Sequence, residues 1–153
     1  MQSQTYWVVV VLSLLTGCVG AEKTATLEDL YTREVKLPDG ARFRAEVVTK
    51  KFDMSRGMMF RDSLAPDRGM LFVHGEPGKY QYWMYQVRIP LDLIWMDQNR
   101  LVSEIVTNVQ PCKSESAVQC PKVGGNRRAL FVLELNAGMA DKHGLKVGDR
   151  LDF

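Results

Sequence analysis

Short apolar stretches that alternate with polar residues, each closed by a turn signal, restrict this chain more than any other feature. Over 32–37 and 41–49, Val35, Leu37, Phe43, Ala45 and Val47 fall at every second position, the period of a strand with one buried face. Pro38-Asp39-Gly40 between them combines a preset φ, a backbone-bonding side chain and a permissive glycine, which makes the pair a hairpin. The pattern recurs downstream. Residues 69–74 (GMLFVH) read as a buried strand turned by Glu76-Pro77-Gly78, and 80–85 as an aromatic strand. Residues 91–97 and 101–109 read as a second hairpin, 129–135 as an apolar strand and 150–153 as a last one. Residues 53–59 fit a short helix, and another runs from a cap at Asn136 to Gly144, where a left-handed residue is expected. About seven or eight short strands with two minor helices predict an α+β, mostly β domain, either a curled antiparallel or mixed sheet or a partial barrel.

With 153 residues, 46% hydrophobic and 25% charged, the chain suits one globular domain with an extension. Its 20 Lys and Arg against 18 Asp and Glu leave a net charge of +2. That is not the basic footprint of a dedicated nucleic-acid binder, and no nucleic-acid partner is expected. Two His residues exclude an all-histidine metal centre within one chain, and no cofactor is expected. No nucleophile elbow, phosphate-cradling glycine loop or histidine cluster occurs.

Residues 6–15 (YWVVVVLSLL) form a ten-residue apolar run broken by Ser13. A membrane-spanning helix needs about 20 apolar residues, so the run fits the core of a secretory signal. Leu15-Thr16-Gly17-Cys18 then resembles the lipobox of bacterial lipoproteins, which implies cleavage after Gly17 and lipidation of the Cys18 thiol. Residues 1–7 depart from that pattern in having no Lys or Arg. No Asp stands second after the cleavage point, which within this resemblance implies outer-membrane sorting. The expected division is a signal peptide at 1–17, a lipidated Cys and polar tether at 18–29 and a single β-rich domain at 30–153. The expected partner is a membrane, reached through the N-terminal lipid at the periplasmic face of the bacterial outer membrane.

Once Cys18 is assigned to lipid, Cys112 and Cys120 remain. An even pair in an exported chain most simply forms a disulfide, stabilising by about 2.6 kcal/mol in the chain-entropy account. The segment PCKSESAVQCP holds no His, so a metal site lacks ligands and a catalytic thiol lacks a base.

Several motifs then follow in order: Arg56-Gly57-Met58-Met59-Phe60-Arg61, Gly69-Met70-Leu71-Phe72, Trp83-Met84, Ile89-Pro90-Leu91-Asp92, Val132-Leu133-Glu134 and Gly148-Asp149. Together they resemble the bacterial and archaeal family called domain of unknown function 192, across residues 42–153. The resemblance implies a fold and no settled activity. The family usually follows its Trp-Met with Lys-Asn-Thr, whereas this chain has Tyr85-Gln86-Val87. Gln86 keeps an amide and Tyr85 removes the positive charge, so no role of that Lys or Asn carries over intact.

Arg61 and Asp92 each follow an apolar or aromatic stretch, and charges partly buried there must find partners. If they pair with each other, they form either an ion pair that fixes two segments or the polar anchor of a groove. Trp83 would be the wall of that groove, with Met84 and Glu134 as further ligand-binding candidates. Trp83 and Met84 are adjacent, so they point opposite ways unless a bulge intervenes. Glu134 takes the face opposite Leu133 and Leu135, where a solvated or cleft-edge side chain is expected before a catalytic acid. Met58, Met59, Met70, Met84 and Met96 accompany Phe60, Phe72, Trp83 and Trp95. Core packing is the default for such a set, and an adaptable apolar groove is the functional alternative. A Cu(I) site lacks closely spaced Met-x-Met or His-Met pairs. Asp149 is expected to bond nearby backbone N–H groups. The chain thus reads as an exported lipoprotein, a non-catalytic module that binds a small ligand or an envelope protein. The alternative is a hydrolase-type enzyme with Asp92 or Glu134 as acid or base.

Overall fold

The computed structural model describes residues 31–153; the signal, Cys18 and tether assignments lie outside the described residues. Six strands, β1 (Thr32–Lys36), β2 (Arg42–Val48), β3 (Arg68–Gly78), β4 (Leu91–Met96), β5 (Val102–Val109) and β6 (Ala129–Asn136), form one mixed sheet. Their order is β1-β2-β3-β6-β4-β5, and the sheet is not closed.

Both expected hairpins are present. β1 pairs antiparallel with β2, Val35 opposite Phe43, and Asp39 Oδ1 accepts the Ala41 N–H at 3.0 Å across the turn. β4 pairs antiparallel with β5. β2 and β3 pair in parallel, and parallel neighbours need a crossover; residues 49–67, with helix α1 (Lys51–Arg56), supply it. β6 enters between β3 and β4, antiparallel to both. A strand covered on both faces reads as near-continuous apolar sequence, and β4 is buried along its whole length.

The two faces of the sheet carry separate cores. Val35, Phe43, Leu71, Ile94 and Leu133 meet helix α2 (Met139–Lys142) and the C-terminal segment through Ala140, Leu145 and Leu151. Met70, Phe72, Leu91, Leu93 and Trp95 face the other way, beneath Met58, Met84, Val87 and Ile89. Most of the methionines named above are therefore packing residues: Met58, Met70, Met84 and Met96 are buried.

Several local expectations change. Glu76-Pro77-Gly78 does not end β3, which continues to Gly78 through a register shift after Val73. Pro is tolerated there because a bulged stretch needs no ladder N–H. Residues 80–85 do not join the sheet. They make isolated bridges, Tyr82 with Val123 and Tyr85 with Cys112, and Tyr82 packs edge-on against Phe72 and Trp95. Residues 150–153 likewise make single bridges, to Leu101 and Lys36. Asn136 does not cap α2; its amide donates to the Leu64 and Ala65 carbonyls. The cap is Gly138, and Asp92 Oδ2 accepts the Ala140 N–H at 2.8 Å. Gly144 has the expected left-handed backbone (φ 58°), and Asp149 Oδ2 accepts the Lys146 N–H at 2.9 Å. Cys112 and Cys120 form the expected disulfide. No helix among the described residues is long and apolar enough to cross a membrane.

Candidate functional site

Residues opposite one another in paired strands share a face, so the register lays side chains in rows across the sheet. One row on the Trp95 face runs Glu46, Met70, Glu134, Leu93, from β2 through β3 and β6 to β4. It sets one carboxyl toward the end of the row and another in its middle. Glu46, half-buried, receives Arg61 in a two-pronged pair, Nη1 to Oε1 at 2.5 Å and Nη2 to Oε2 at 2.7 Å. The Arg61 hydrogen bonds hold the Glu46 carboxyl below the usual carboxylate range, and the same bonds raise the guanidinium. Glu134 is only 5% exposed, and its Oε2 is enclosed with no hydrogen-bond partner. Burial pushes its pKa up to about 8, against a smaller opposing pull from the Arg61 charge. A carboxyl buried without a partner keeps its proton, so Glu134 is mostly a neutral acid at pH 7.

Above Glu134 lies a cleft of about 240 Å³. One part of its wall is α1 and the turn after it, through Met54, Met58 and Met59; another is residues 80–83 with His74 of β3. Glycines let both walls approach the sheet. Gly57 has φ 44°, and a Cβ there would press on the Phe72 ring. Gly124, also left-handed, lies against the Trp95 ring, where a Cβ would overlap it. Trp95 Nε1 donates to the Tyr80 carbonyl at 2.8 Å, which ties the aromatic wall to β4. Tyr80 stacks on His74 with ring centroids 3.4 Å apart, and His74 Nε2 lies 3.1 Å from the Tyr82 hydroxyl. Burial lowers the His74 pKa and raises that of Tyr82, so both rings are neutral near pH 7. Trp83 stands at the rim with the Lys122 ammonium 3.6 Å from its ring centroid.

Of the residues singled out in the sequence, Trp83 and Glu134 line this cleft. Arg61 lines a neighbouring depression with Glu46, on the far side of Gly57 and Met59. Met84 turns into the core and is 3% exposed, as the alternation of adjacent side chains requires. The expected Arg61–Asp92 pair does not form, because the two lie over opposite faces. Leu91 and Leu93 face the Trp95 side, so Asp92 between them faces α2. There its two oxygens accept the Asn108 and Ala140 N–H groups, each at 2.8 Å.

Sequence reasoning passed over Glu46, His74, Tyr82 and Lys122. The run Tyr80-Gln81-Tyr82-Trp83 is the signal that marks the aromatic wall. Glu46 carries no such signal, since alternation alone assigns it to solvent. Among the described residues no three His, Cys, Asp or Glu side chains gather as a metal site would need.

The segment after Trp83-Met84 also finds a physical account. Gln86 has φ 55°, and its carbonyl accepts the Phe60 N–H at 2.9 Å, tying this segment to the Arg56–Arg61 motif. Asn tolerates this left-handed backbone better than other residues with a side chain.

Residues 34–153 match the family DUF192, described as "Uncharacterized ACR". A protein of unknown function from Novosphingobium aromaticivorans is 30% identical, with a TM-score of 0.72 over 80% of this chain and 85% of that one. A Sinorhizobium meliloti protein, described as a candidate transcription regulator, is also 30% identical, with a TM-score of 0.68 over 78% and 89% of the two chains. No curated protein matches the sequence. The match runs from the middle of β1 to the last residue and thus takes in the other five strands, the residues that line the cleft and Glu134, so the chain belongs to the DUF192 family.

Proposed function

We propose that the protein is a non-catalytic binding module of the bacterial cell envelope, held by lipid on Cys18, whose cleft takes a small organic ligand between α1 and residues 80–83. The observation that carries this reading is the Glu134 carboxyl, which lines an aromatic and thioether cleft with its Oε2 buried and lacking a protein partner. A buried unsatisfied polar group costs about 1–3 kcal/mol, and an apolar residue would avoid that cost; a ligand that bonds the carboxyl offsets it. Export is supported by the lipobox-like Leu15–Cys18 and by a disulfide, which suits an oxidising compartment. The enzyme alternative rests on Glu134 alone as a general acid, because both Asp92 oxygens are committed to backbone N–H groups. The regulator description of the Sinorhizobium relative finds little support in a net charge of +2.

Native mass spectrometry of the full-length protein, extracted gently from its own membranes, tests the binding reading. A bound small molecule that disappears in a folded Trp83→Ala variant supports it. Protein that carries no small molecule, or one retained unchanged in the variant, overturns it.

A further inference from the structure

We infer that the cleft selects a planar, uncharged ring that presents a carbonyl beside an N–H, the edge of a cyclic amide, to the Glu134 carboxyl. The inference rests on the binding reading above and names the ligand class for that site.

Size, shape and polarity converge on this class. The cleft volume of about 240 Å³ falls below the roughly 300–1,000 Å³ typical for drug-sized ligands, so the part of a ligand it encloses is no larger than a small ring system. The lining combines thioethers, Met54 and Met59, with the aromatic stretch that includes Trp83. Sulfur and π faces both make favourable contacts with flat rings. At the floor, Glu134 offers Oε2 with no partner in the protein. A protonated carboxyl sets an O–H donor beside a carbonyl acceptor. A cyclic amide offers the complementary pair on one edge, so once the carboxyl turns its enclosed Oε2 toward the cleft, two hydrogen bonds satisfy both groups. A cation would have to enter past Arg56 and Lys122 at the rim. An anion at the floor would meet a group with one proton to give and a second oxygen that repels it.

The charged and titratable neighbours leave Glu134 as the group that sets the pH response. Tyr82 acts on it electrostatically from the segment beyond β3, His74 of β3 lines the same cleft, and burial keeps both neutral between pH 7 and pH 9. Arg61 approaches from the turn after α1 and stays paired with Glu46 of β2. Arg56 and Lys122 stand at the rim, and Tyr80 covers His74. With Glu134 titrating at about 8, affinity for a cyclic amide falls roughly tenfold between pH 7 and pH 9, as the donor proton is lost.

The test titrates the full-length protein in detergent with 2-pyridone, followed by protein NMR at the Trp83 indole. N-methyl-2-pyridone, toluene and benzyltrimethylammonium are the comparison probes. The expected result is saturable 2-pyridone binding at pH 7, about tenfold weaker at pH 9, with N-methyl-2-pyridone at least about tenfold weaker at pH 7. Glu134→Gln keeps a donor beside an acceptor and does not titrate, so it retains 2-pyridone binding and loses the pH response. Glu134→Leu keeps the packing and loses most of the affinity. Toluene binding as tightly as 2-pyridone, or benzyltrimethylammonium binding that strengthens above pH 8 and vanishes in Glu134→Gln, overturns the ligand class and leaves the cleft a binding site. Absence of binding by all four probes at both pH values overturns the class and the binding reading together.

Discussion

At pH 7 the unfolded chain ionises Glu134 while the folded chain must keep it protonated, because burial raises its pKa from 4.5 to about 8. Its contribution to stability is thus fully present below pH 4.5 and is lost as pH rises through 8. Glu134→Gln is expected to stabilise the protein by about 2–4 kcal/mol at pH 8 and by almost nothing at pH 4.5 in urea unfolding; an equal effect at both pH values would contradict the buried neutral acid. Glu46 acts in the opposite sense. Arg61 lowers its pKa, so its contribution is lost as pH falls. The pair is partly exposed, 33% at Arg61 and 43% at Glu46, which limits it to about 0.5–1 kcal/mol after screening. Gln86 bears a backbone cost of its own at φ 55°. Gln86→Asn should therefore stabilise by about 0.5–1 kcal/mol, visible as a higher denaturation midpoint; a lower midpoint would refute the backbone account.

Helix α2 spans Met139–Lys142, too few residues to hold itself in water. What fixes it is the Asp92 carboxylate, which joins the α2 start at Ala140 to the end of β5 at Asn108. Asp92→Asn would aim an amide NH2 at one of those N–H groups. The expected loss is about 2–3 kcal/mol, read as a lower Tm with ligand binding at the cleft unchanged. Lost binding at unchanged Tm would return Asp92 to the site. The Cys112–Cys120 bridge ties a segment that also bonds Met84, Cys112 N–H to the Met84 carbonyl at 3.1 Å. Reduction should lower unfolding free energy by about 2–3 kcal/mol without abolishing the fold, as denaturation with and without reductant would register. Free thiols at both positions in protein recovered after export would contradict the pairing.

At the scale of the whole molecule, the membrane assignment depends on Cys18. One acyl chain anchors only marginally, so the several chains of a mature lipoprotein matter. Cys18→Ser should leave the protein in the soluble fraction or as an unprocessed precursor on cell fractionation; unchanged processing and membrane retention would refute the lipobox reading. By itself the sequence determined the β-rich class, both hairpins and the first one's turn at Pro38-Asp39-Gly40, the left-handed Gly144 and the pairing of Cys112 with Cys120, because each follows from residues close along the chain. Alternation also separated Trp83 from Met84 and Glu134 from its flanking leucines. Only the tertiary structure decided that β6 lies between β3 and β4, that residues 80–85 add no strand and residues 80–83 wall a cleft, and that Arg61 meets Glu46. The physical reason is that a period of two tells which side chains share one face of a strand, whereas the neighbouring strand and the cover over that face come from distant residues. Covering the second face turned Glu134 from an outward side chain into a buried acid, and the same two-sided cover set Asp92 beneath α2, away from Arg61.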